Sequence, residues 1–211
     1  MNKISSFIEY TNLKPYATKK DIIRLCKQAI KYNFYAVCVN PFYVKLCKKI
    51  LEGTPVKVCS VVGFPLGATT TATKVFEAKQ AIKDGADEID VVVNLSALKS
   101  NDLKSVYKEI KTLREVTKNK VLKLIIETCY LTKEEKIKIC NIAKKAKVDF
   151  IKTSTGFGKS GAKESDVRLI KSIVGEKIGI KASGGIKNKK TALKMIKLGA
   201  TRIGTSSLIK D

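Results

Sequence analysis

The chain has 211 residues, of which 44% are hydrophobic and 29% are charged. This balance is typical of a folded soluble protein, so we expect one domain over residues 1–211 rather than a disordered chain. No run of about 18 apolar residues is present, and residues 1–6 lack the apolar core of a signal peptide, which argues against a membrane span and against export. The six scattered cysteines then predict reduced thiols in the cytoplasm and no metal site.

The composition contains no histidine and gives a formal net charge of +23. The absence of histidine excludes His-dependent catalytic triads and His-ligated metals. The charge has two interpretations, a solvated basic surface or an attraction for polyanions. The lysines are spread through every helix-like segment, and only four residues are arginine, so we favour the solvated surface and expect no specific nucleic-acid partner. The charge would still help to draw in a phosphorylated substrate.

Strand-like and helix-like segments alternate along the whole chain. The helical stretches show apolar spacings of three and four, as in Ile22, Cys26 and Ile30. Strict alternation predicts a parallel sheet, and eight strands favour a closed single-domain (β/α)8 TIM barrel over an open sheet. The strand-like runs lie near residues 7–11, 35–40, 56–62, 88–93, 121–127, 149–153, 178–182 and 201–204.

Four eleven-residue stretches share one template of helix end, tight turn and strand: 28–38, 80–90, 142–152 and 194–204. Their last positions fall on strands two, four, six and eight, and alternate strands fill one interior layer of such a barrel. We therefore expect the four residues at these positions to share a layer near the C-terminal mouth. The alternative is that all βα units end alike and the shared register carries no chemistry. The four residues are Cys38, Asp90, Lys152 and Gly204.

Lysines lie near the ends of two adjacent predicted strands, Lys152 on the sixth and Lys181 on the seventh. At matching ends of adjacent strands they would stand close together. A like charge and partial desolvation both lower the pKa of a lysine, which keeps an amine neutral and nucleophilic toward a carbonyl. With Asp90 they form a candidate site for imine chemistry, although either lysine alone could be an ordinary snorkelling side chain.

Glycine- and serine-rich turns follow the last three predicted strands, at residues 153–156, 183–185 and 204–207. Glycine lets backbone N–H groups approach an anion, and the loops after strands seven and eight bind phosphate in many barrels of this type. Such turns are common in βα loops, so each turn alone is weak evidence for a phosphate site. Three at one end of the barrel predict a phosphate site.

Most of the chain resembles the deoxyribose-phosphate aldolase family. The stretch Phe-Ile-Lys-Thr-Ser-Thr-Gly at 150–156 is highly specific to that family, and the other matches keep its order and spacing. The matching stretches are 11–15, 36–41, 62–67, 87–92, 124–128, 150–158, 181–186 and 202–207.

The resemblance implies reversible cleavage of 2-deoxy-D-ribose 5-phosphate into glyceraldehyde 3-phosphate and acetaldehyde, with no metal or other cofactor. It implies that Lys152 forms the imine, that Lys181 lowers the pKa of the first lysine and takes part in proton transfer, and that Asp90 moves protons through water. Further positions of this sequence match the phosphate-binding residues of the family, namely Gly156, Gly184, Gly185, Ser206 and Ser207. Others match its substrate pocket: Thr11, Cys38 and Lys123.

Two departures from the family pattern concern the ends of the chain. Many members carry Asp-His-Thr on the first strand, where this sequence has Glu9, Tyr10 and Thr11. Glu9 is thus expected in the pocket with a carboxylate one methylene longer. The chain stops at Asp211, so we expect a minimal last helix and no long tail ending in a tyrosine.

Two other functions compete with this interpretation. One is a related Schiff-base aldolase that acts on another sugar phosphate, because the loop contacts that select the sugar cannot be read from the sequence. The other is polyanion binding without catalysis, which is disfavoured because the tyrosines and phenylalanines are not interleaved with basic residues as in a stacking platform. A homodimer is expected from the resemblance alone, since no interface stripe stands out.

Overall fold

The computed structural model describes residues 4–209. Eight parallel strands form one closed barrel in chain order, and β8 pairs with β1 to close it. Every predicted strand overlaps an observed one, so the TIM-barrel prediction is confirmed. The strands are β1 (Ile8–Asn12), β2 (Ala36–Val39), β3 (Lys57–Val62), β4 (Glu88–Val92), β5 (Val121–Ile125), β6 (Phe150–Lys152), β7 (Gly179–Ser183) and β8 (Arg202–Thr205).

Helices follow the first seven strands, and two of them, α4 and α5, lie between β4 and β5. Beyond β8 the structure describes residues 206–209, and none of these is helical, so the expected minimal last helix falls partly outside the described residues. The helices are α1 (Lys19–Lys31), α2 (Val44–Ile50), α3 (Thr71–Lys83), α4 (Leu95–Lys99), α5 (Leu103–Val116), α6 (Lys133–Ala146), α7 (Glu164–Val174) and α8 (Lys189–Lys197). Across residues 4–209, no helix is long and apolar enough to cross a membrane.

The four repeated stretches end their helices in the same way. In each, the sixth residue adopts a left-handed backbone conformation, and the next N–H bonds to a carbonyl five residues back, as Ala86 does to Ala81 at 2.9 Å. This is the Schellman arrangement, which satisfies carbonyls that the helix end leaves free. Because each strand starts at the same distance from its turn, the eleventh residue has the same orientation in all four. The left-handed residues are Asn33, Gly85, Lys147 and Gly199.

The hydrophobic core lies between the barrel and its helices. Strand residues alternate between the two faces of the sheet, so aliphatic side chains such as Val37, Ile89 and Ile151 point outward and are fully buried under the helices. A smaller apolar group of Leu13, Cys38, Cys59 and Val61 forms a separate cluster. Other inward positions carry buried charged side chains, among them Glu9, Asp90 and Lys152.

A buried ion pair joins the helices to the end of β4. Lys74 on α3 has no exposed surface, and its Nζ donates to the carbonyl oxygen of Val92 at 2.9 Å and contacts Glu109 Oε1 at 2.8 Å. The same carboxylate oxygen accepts the backbone N–H of Asn94 at 3.1 Å. Burial lowers the pKa of Lys74, and the Glu109 carboxylate opposes that shift. The pair therefore fixes the segment just past Asp90.

We expect Lys74→Ala to destabilise the protein by about 3–5 kcal/mol, because it leaves the Glu109 carboxylate buried without its cation. Urea denaturation followed by circular dichroism measures the change. The control is Lys79→Ala, at an exposed position on the same helix, which should shift the free energy of unfolding by less than about 0.5 kcal/mol. Equal effects in the two variants would contradict a structural role for the buried pair.

Candidate active site

The carboxylate of Asp90 on β4 lies at the centre of the candidate site. Its Oδ2 accepts hydrogen bonds from Lys152 Nζ at 2.9 Å and Lys181 Nζ at 2.7 Å, and its Oδ1 accepts one from Lys123 Nζ at 2.9 Å. All four side chains are at most 2% exposed. The structure thus brings together the three residues expected to be catalytic, with Lys123 beside them.

Strand register explains this convergence. Lys152 pairs with Lys181 across β6 and β7, and Asp90 pairs with Lys123 across β4 and β5. Of the predicted interior layer, Cys38 and Lys152 both reach Asp90, the thiol sulfur lying 4.0 Å from Oδ2. A Cβ added to Gly204 would lie 3.0 Å from Lys181 Cε, so the glycine leaves room for that lysine. All four residues therefore face the barrel interior.

A second group of charges lies beneath Asp90, toward the N-terminal end of the barrel. Glu9 on β1 binds the Lys181 ammonium and lies 3.4 Å from Lys123 Nζ. Glu88, two residues before Asp90 on the same strand, contacts Lys123 Nζ at 2.5 Å. The longer side chain of Glu9 thus contacts two of the three lysines.

The electrostatic effects of these contacts oppose the effect of burial. Burial alone would raise the pKa of Asp90, but the three lysines hold it well below its ordinary value. Burial alone would lower the pKa of Lys181, as the sequence suggested, but Asp90 and Glu9 raise it well above its ordinary range. Lys181 is therefore held as an ammonium group. Lys152 is the one of the three lysines that lines the open cavity, so it is the candidate amine.

The cavity at the C-terminal mouth has a volume of about 330 Å³. Thr11 lines it, whereas Glu9, Cys38 and Lys123 lie beneath it, outside its lining. Four of the five expected phosphate-binding residues line it as well, Gly156, Gly184, Gly185 and Ser206. Ser207, the fifth, is outside the lining, and its N–H donates to Thr205 Oγ1 at 3.0 Å.

Free backbone donors and fixed turns make this part of the cavity suitable for an anion. Within residues 4–209, the N–H groups of Gly156, Gly184, Gly185 and Ser206 donate to no protein acceptor. The turns are tied together because Ser183 Oγ donates to the Ser154 carbonyl at 2.6 Å and Thr205 Oγ1 donates to the Ile186 carbonyl, also at 2.6 Å. Donors held in place in this way bind phosphate oxygens without further ordering.

Sequence reasoning missed Glu88 and Glu127 as contributors to the site. Glu88 could have been found, since it precedes Asp90 by two residues and must share its face of the strand. Glu127 is 2% exposed, has a left-handed backbone with φ of 46°, and accepts the N–H of Thr155 at 3.2 Å. It fixes the turn after Lys152. No spacing in the sequence signals that role, because it depends on the local backbone conformation.

Two sets of side chains have ligand atoms close enough for a metal ion, Cys38 with Cys59 and Asp90, and Glu9 with Cys59 and Glu88. Every carboxylate in them already contacts at least one lysine ammonium. A cation would have to displace these ammonium groups, so the arrangement disfavours a metal. The absence of a metal or other cofactor stays a prediction.

We expect Gly184→Ala to weaken inorganic phosphate binding at least tenfold. Gly184 has a φ of 85°, and an added Cβ would lie 2.8 Å from Gly161 Cα, so the turn would have to move. Gly185→Ala is the matched variant, because its φ of 77° imposes the same strain while nothing lies within 4 Å of the new Cβ. Isothermal titration calorimetry measures both. Equal losses would show that backbone strain, and not the close approach to Gly161, accounts for the effect.

Fold and cavity together define a TIM-barrel enzyme with its site at the C-terminal mouth of the barrel. Over residues 8–209 the sequence matches the family described as DeoC/LacD family aldolase. The chain belongs to this family of aldolases.

Named relatives and solved structures agree with this assignment. The chain is similar to the deoxyribose-phosphate aldolase of Thermococcus kodakarensis, with 57% identity over 216 residues, covering 100% of this chain and 96% of the relative. The Caldicellulosiruptor saccharolyticus deoxyribose-phosphate aldolase is 55% identical over 208 residues, covering 97% of this chain and 94% of the relative. The structure resembles that of the aldolase QR15, with a TM-score of 0.94 and 46% identity, covering 98% of this chain and 93% of that one. It also resembles the tetrameric deoxyribose phosphate aldolase of Aeropyrum pernix, with a TM-score of 0.90 and 33% identity, covering 97% of this chain and 87% of that one.

Proposed function

We propose that the protein reversibly cleaves 2-deoxy-D-ribose 5-phosphate to D-glyceraldehyde 3-phosphate and acetaldehyde through a Schiff base on Lys152, in the catabolism of deoxyribose phosphate. The observation that carries the proposal is the position of Lys152. Its amine contacts Asp90 and lines a cavity whose other wall is built from the glycine and serine turns. The names of the full-length relatives support the choice of sugar.

The chemistry follows from an amine at that position. The neutral Lys152 amine adds to the aldehyde carbon of the open-chain sugar, and loss of water gives a protonated imine. The imine accepts the electron pair of the C2–C3 bond when that bond breaks and the C3 hydroxyl loses its proton. This releases glyceraldehyde 3-phosphate and leaves an enamine. Protonation of the enamine carbon and hydrolysis then release acetaldehyde and restore the amine.

Asp90 and Lys181 would move the protons that these steps require. Both lie within hydrogen-bonding distance of each other, and Asp90 also contacts Lys152. Lys181, held as an ammonium by Asp90 and Glu9, can donate a proton, while the Asp90 carboxylate can accept one directly or through water. Glu9 acts beneath them by orienting Lys181 rather than by touching the sugar.

The phosphate group of the substrate would occupy the turns that line the cavity. The free N–H groups there point to an anion, and the net charge of +23 favours approach of phosphorylated molecules over neutral sugars. A substrate of this kind would have its phosphate at the turns and its aldehyde carbon at Lys152.

The first test is trapping with acetaldehyde and borohydride, followed by intact mass and peptide mapping. We expect a single two-carbon adduct on Lys152 and none in Lys152→Met, because among residues 4–209 only that amine both contacts Asp90 and lines the cavity. Lys187→Met is the matched control, since Lys187 is an exposed lysine on the rim of the same cavity and its loss should leave the adduct intact. Absence of an adduct, or labelling spread over surface lysines, would remove the basis of the imine mechanism.

The competing aldolase activity is separated by a substrate panel. We expect turnover of 2-deoxy-D-ribose 5-phosphate to exceed that of ribose 5-phosphate, fructose phosphates and unphosphorylated deoxyribose by at least tenfold in kcat/KM. Faster cleavage of another sugar phosphate would favour the related aldolase. A mobility shift of DNA or RNA at physiological ionic strength would instead support polyanion binding.

Domain, compartment and assembly are further parts of the proposal. We take residues 1–211 as one domain, supported by a closed barrel from β1 to β8 and a family match over residues 8–209. A cytoplasmic location is supported by six free cysteines, five of them buried. A homodimer stays a prediction from the resemblance, and since the Aeropyrum pernix relative is described as a tetramer, light scattering should measure the assembly.

A further inference from the structure

The barrel interior holds more positive than negative charge. Three carboxylates, Glu9, Glu88 and Asp90, are at most 2% exposed, and they face three lysines of the same low exposure together with Arg202, whose side chain is 19% exposed. With every group ionised the cluster carries one uncompensated positive charge. An unpaired buried charge is costly, so the cluster is most stable when one of the four cations gives up its proton.

The contacts identify which cation loses its proton. Lys123 Nζ lies within 4 Å of three carboxylates, and Lys181 Nζ contacts two. Of the three carboxylates Lys152 contacts Asp90 alone, and it is the one lysine of the cluster that lines the cavity. Arginine keeps its proton at any pH that a protein experiences. Lys152 is therefore the lysine with the fewest carboxylate contacts, and its neutral form would bring the cluster to three cations against three carboxylates.

We propose that Arg202 and Glu88, at the N-terminal end of the barrel, are positioning residues that set this charge balance and thereby decide at which pH Lys152 becomes a free amine. The proposal rests on the Schiff-base function of Lys152 proposed above. It assigns to Arg202 a role in the reaction although that side chain touches neither the cavity nor Lys152.

Arg202 is held where its charge acts on the cluster. Its guanidinium carbon lies 3.5 Å from the ring centre of Tyr35 and 5.4 Å from that of Phe150. Its Nε is 4.0 Å from Glu9 Oε1, and neither of these two buried atoms has a hydrogen-bond partner. Glu9 in turn binds Lys181, which contacts Asp90. The charge of Arg202 is thus linked to the site through consecutive ionic contacts.

Glu88 acts through the other side of the cluster. Its Oε2 contacts Lys123 Nζ at 2.5 Å, and its Oε1 accepts a hydrogen bond from the Tyr35 hydroxyl at 2.8 Å. Burial and the Glu88 carboxylate raise the pKa of Tyr35, so this phenol stays neutral. Every strand contributes a titratable or charged group to the cluster, from β1 to β8: Glu9, Cys38, Cys59, Glu88 with Asp90, Lys123, Lys152, Lys181 and Arg202.

The two thiols enter the balance differently. The pKa of Cys59 lies well above its ordinary value, mainly because of burial, so this thiol stays neutral. A hydrogen bond with Cys59 lowers the pKa of Cys38 to about 7. Ionised Cys38 would add one negative charge and keep Lys152 protonated, so the test is also run in a Cys38→Ser background.

Removing the charge of Arg202 and removing that of Glu88 are expected to shift the pH at which Lys152 loses its proton in opposite directions. Arg202→Gln leaves three carboxylates facing two cations when Lys152 is neutral, so Lys152 keeps its proton to a higher pH. Glu88→Gln leaves an extra positive charge when Lys152 is protonated, so the proton is lost at a lower pH, while the amide oxygen can still accept from Tyr35. Two unit charges about 10 Å apart, at an effective dielectric constant of about 20, interact strongly enough to shift this pH by roughly one unit in either direction.

The experiment measures the initial rate of acetaldehyde adduct formation on Lys152 with cyanoborohydride across pH 5 to 9, with the site of labelling confirmed by peptide mapping. Acetaldehyde carries no phosphate, so substrate ionisation does not contribute. We expect the midpoint of the acid limb to rise by roughly one unit in Arg202→Gln and to fall by a similar amount in Glu88→Gln. Arg202→Lys, which keeps the charge, should retain the wild-type midpoint.

Two comparisons keep a structural role apart from the proposed one. Arg168→Gln removes the same charge from an exposed position on α7 and should leave the midpoint unchanged. Lower rates in both Arg202 variants with an unshifted midpoint, or shifts of the same sign in Arg202→Gln and Glu88→Gln, would overturn the charge-balance proposal. If Arg202→Gln does not fold, the shift in Glu88→Gln alone decides the question. Absence of any adduct on Lys152 in the wild-type protein would instead overturn the Schiff-base function itself.

Discussion

The carboxylate of Asp90 makes contacts with three lysine ammonium groups inside the barrel, where all four side chains are at most 2% exposed. Each lysine comes from a different strand, so one side chain joins β4 to β5, β6 and β7. None of these lysines could remain buried as a cation without a carboxylate within reach. The Asp90 carboxylate therefore determines three features: the position of the Lys152 amine at the cavity, the charge of Lys181, and the close approach of the ends of β6 and β7.

The molecule separates the interactions that stabilise it from those that do chemistry. Outward-facing aliphatic side chains on the strands pack against the helices and provide most of the buried apolar surface. The inward face of the same strands holds buried charges, which contribute little net stability and constrain each other strongly. The alternation of a β-strand allows both, because successive residues point to opposite faces.

Much of this arrangement could be predicted from the sequence. The repeat at four helix ends predicted both the strand positions and the shared orientation of Asp90 and Lys152, since equal spacing from a fixed turn gives equal orientation. The lysine pair across β6 and β7 followed from a different observation, that Lys152 and Lys181 lie at matching ends of adjacent predicted strands. The charge state of Lys181 could not be predicted in this way. It depends on Asp90 and Glu9, which come from distant strands and whose effect on the pKa of Lys181 outweighs that of burial. Spacing also could not show that Ser207 lies outside the cavity lining.

The left-handed turns that end α1, α3, α6 and α8 limit how the sequence can change in length. Each turn lies five residues before an inward-facing position of the strand that follows. Loss or gain of one residue between Lys147 and Lys152 would exchange the two faces of β6, placing an aliphatic side chain in the charged interior and a lysine under the helices. Insertions and deletions should therefore be tolerated in the loops at the C-terminal mouth, where the cavity can vary in shape, and rejected at the opposite end of the barrel. Divergence of such a chain proceeds by substitution on one side of the barrel and by loop length on the other.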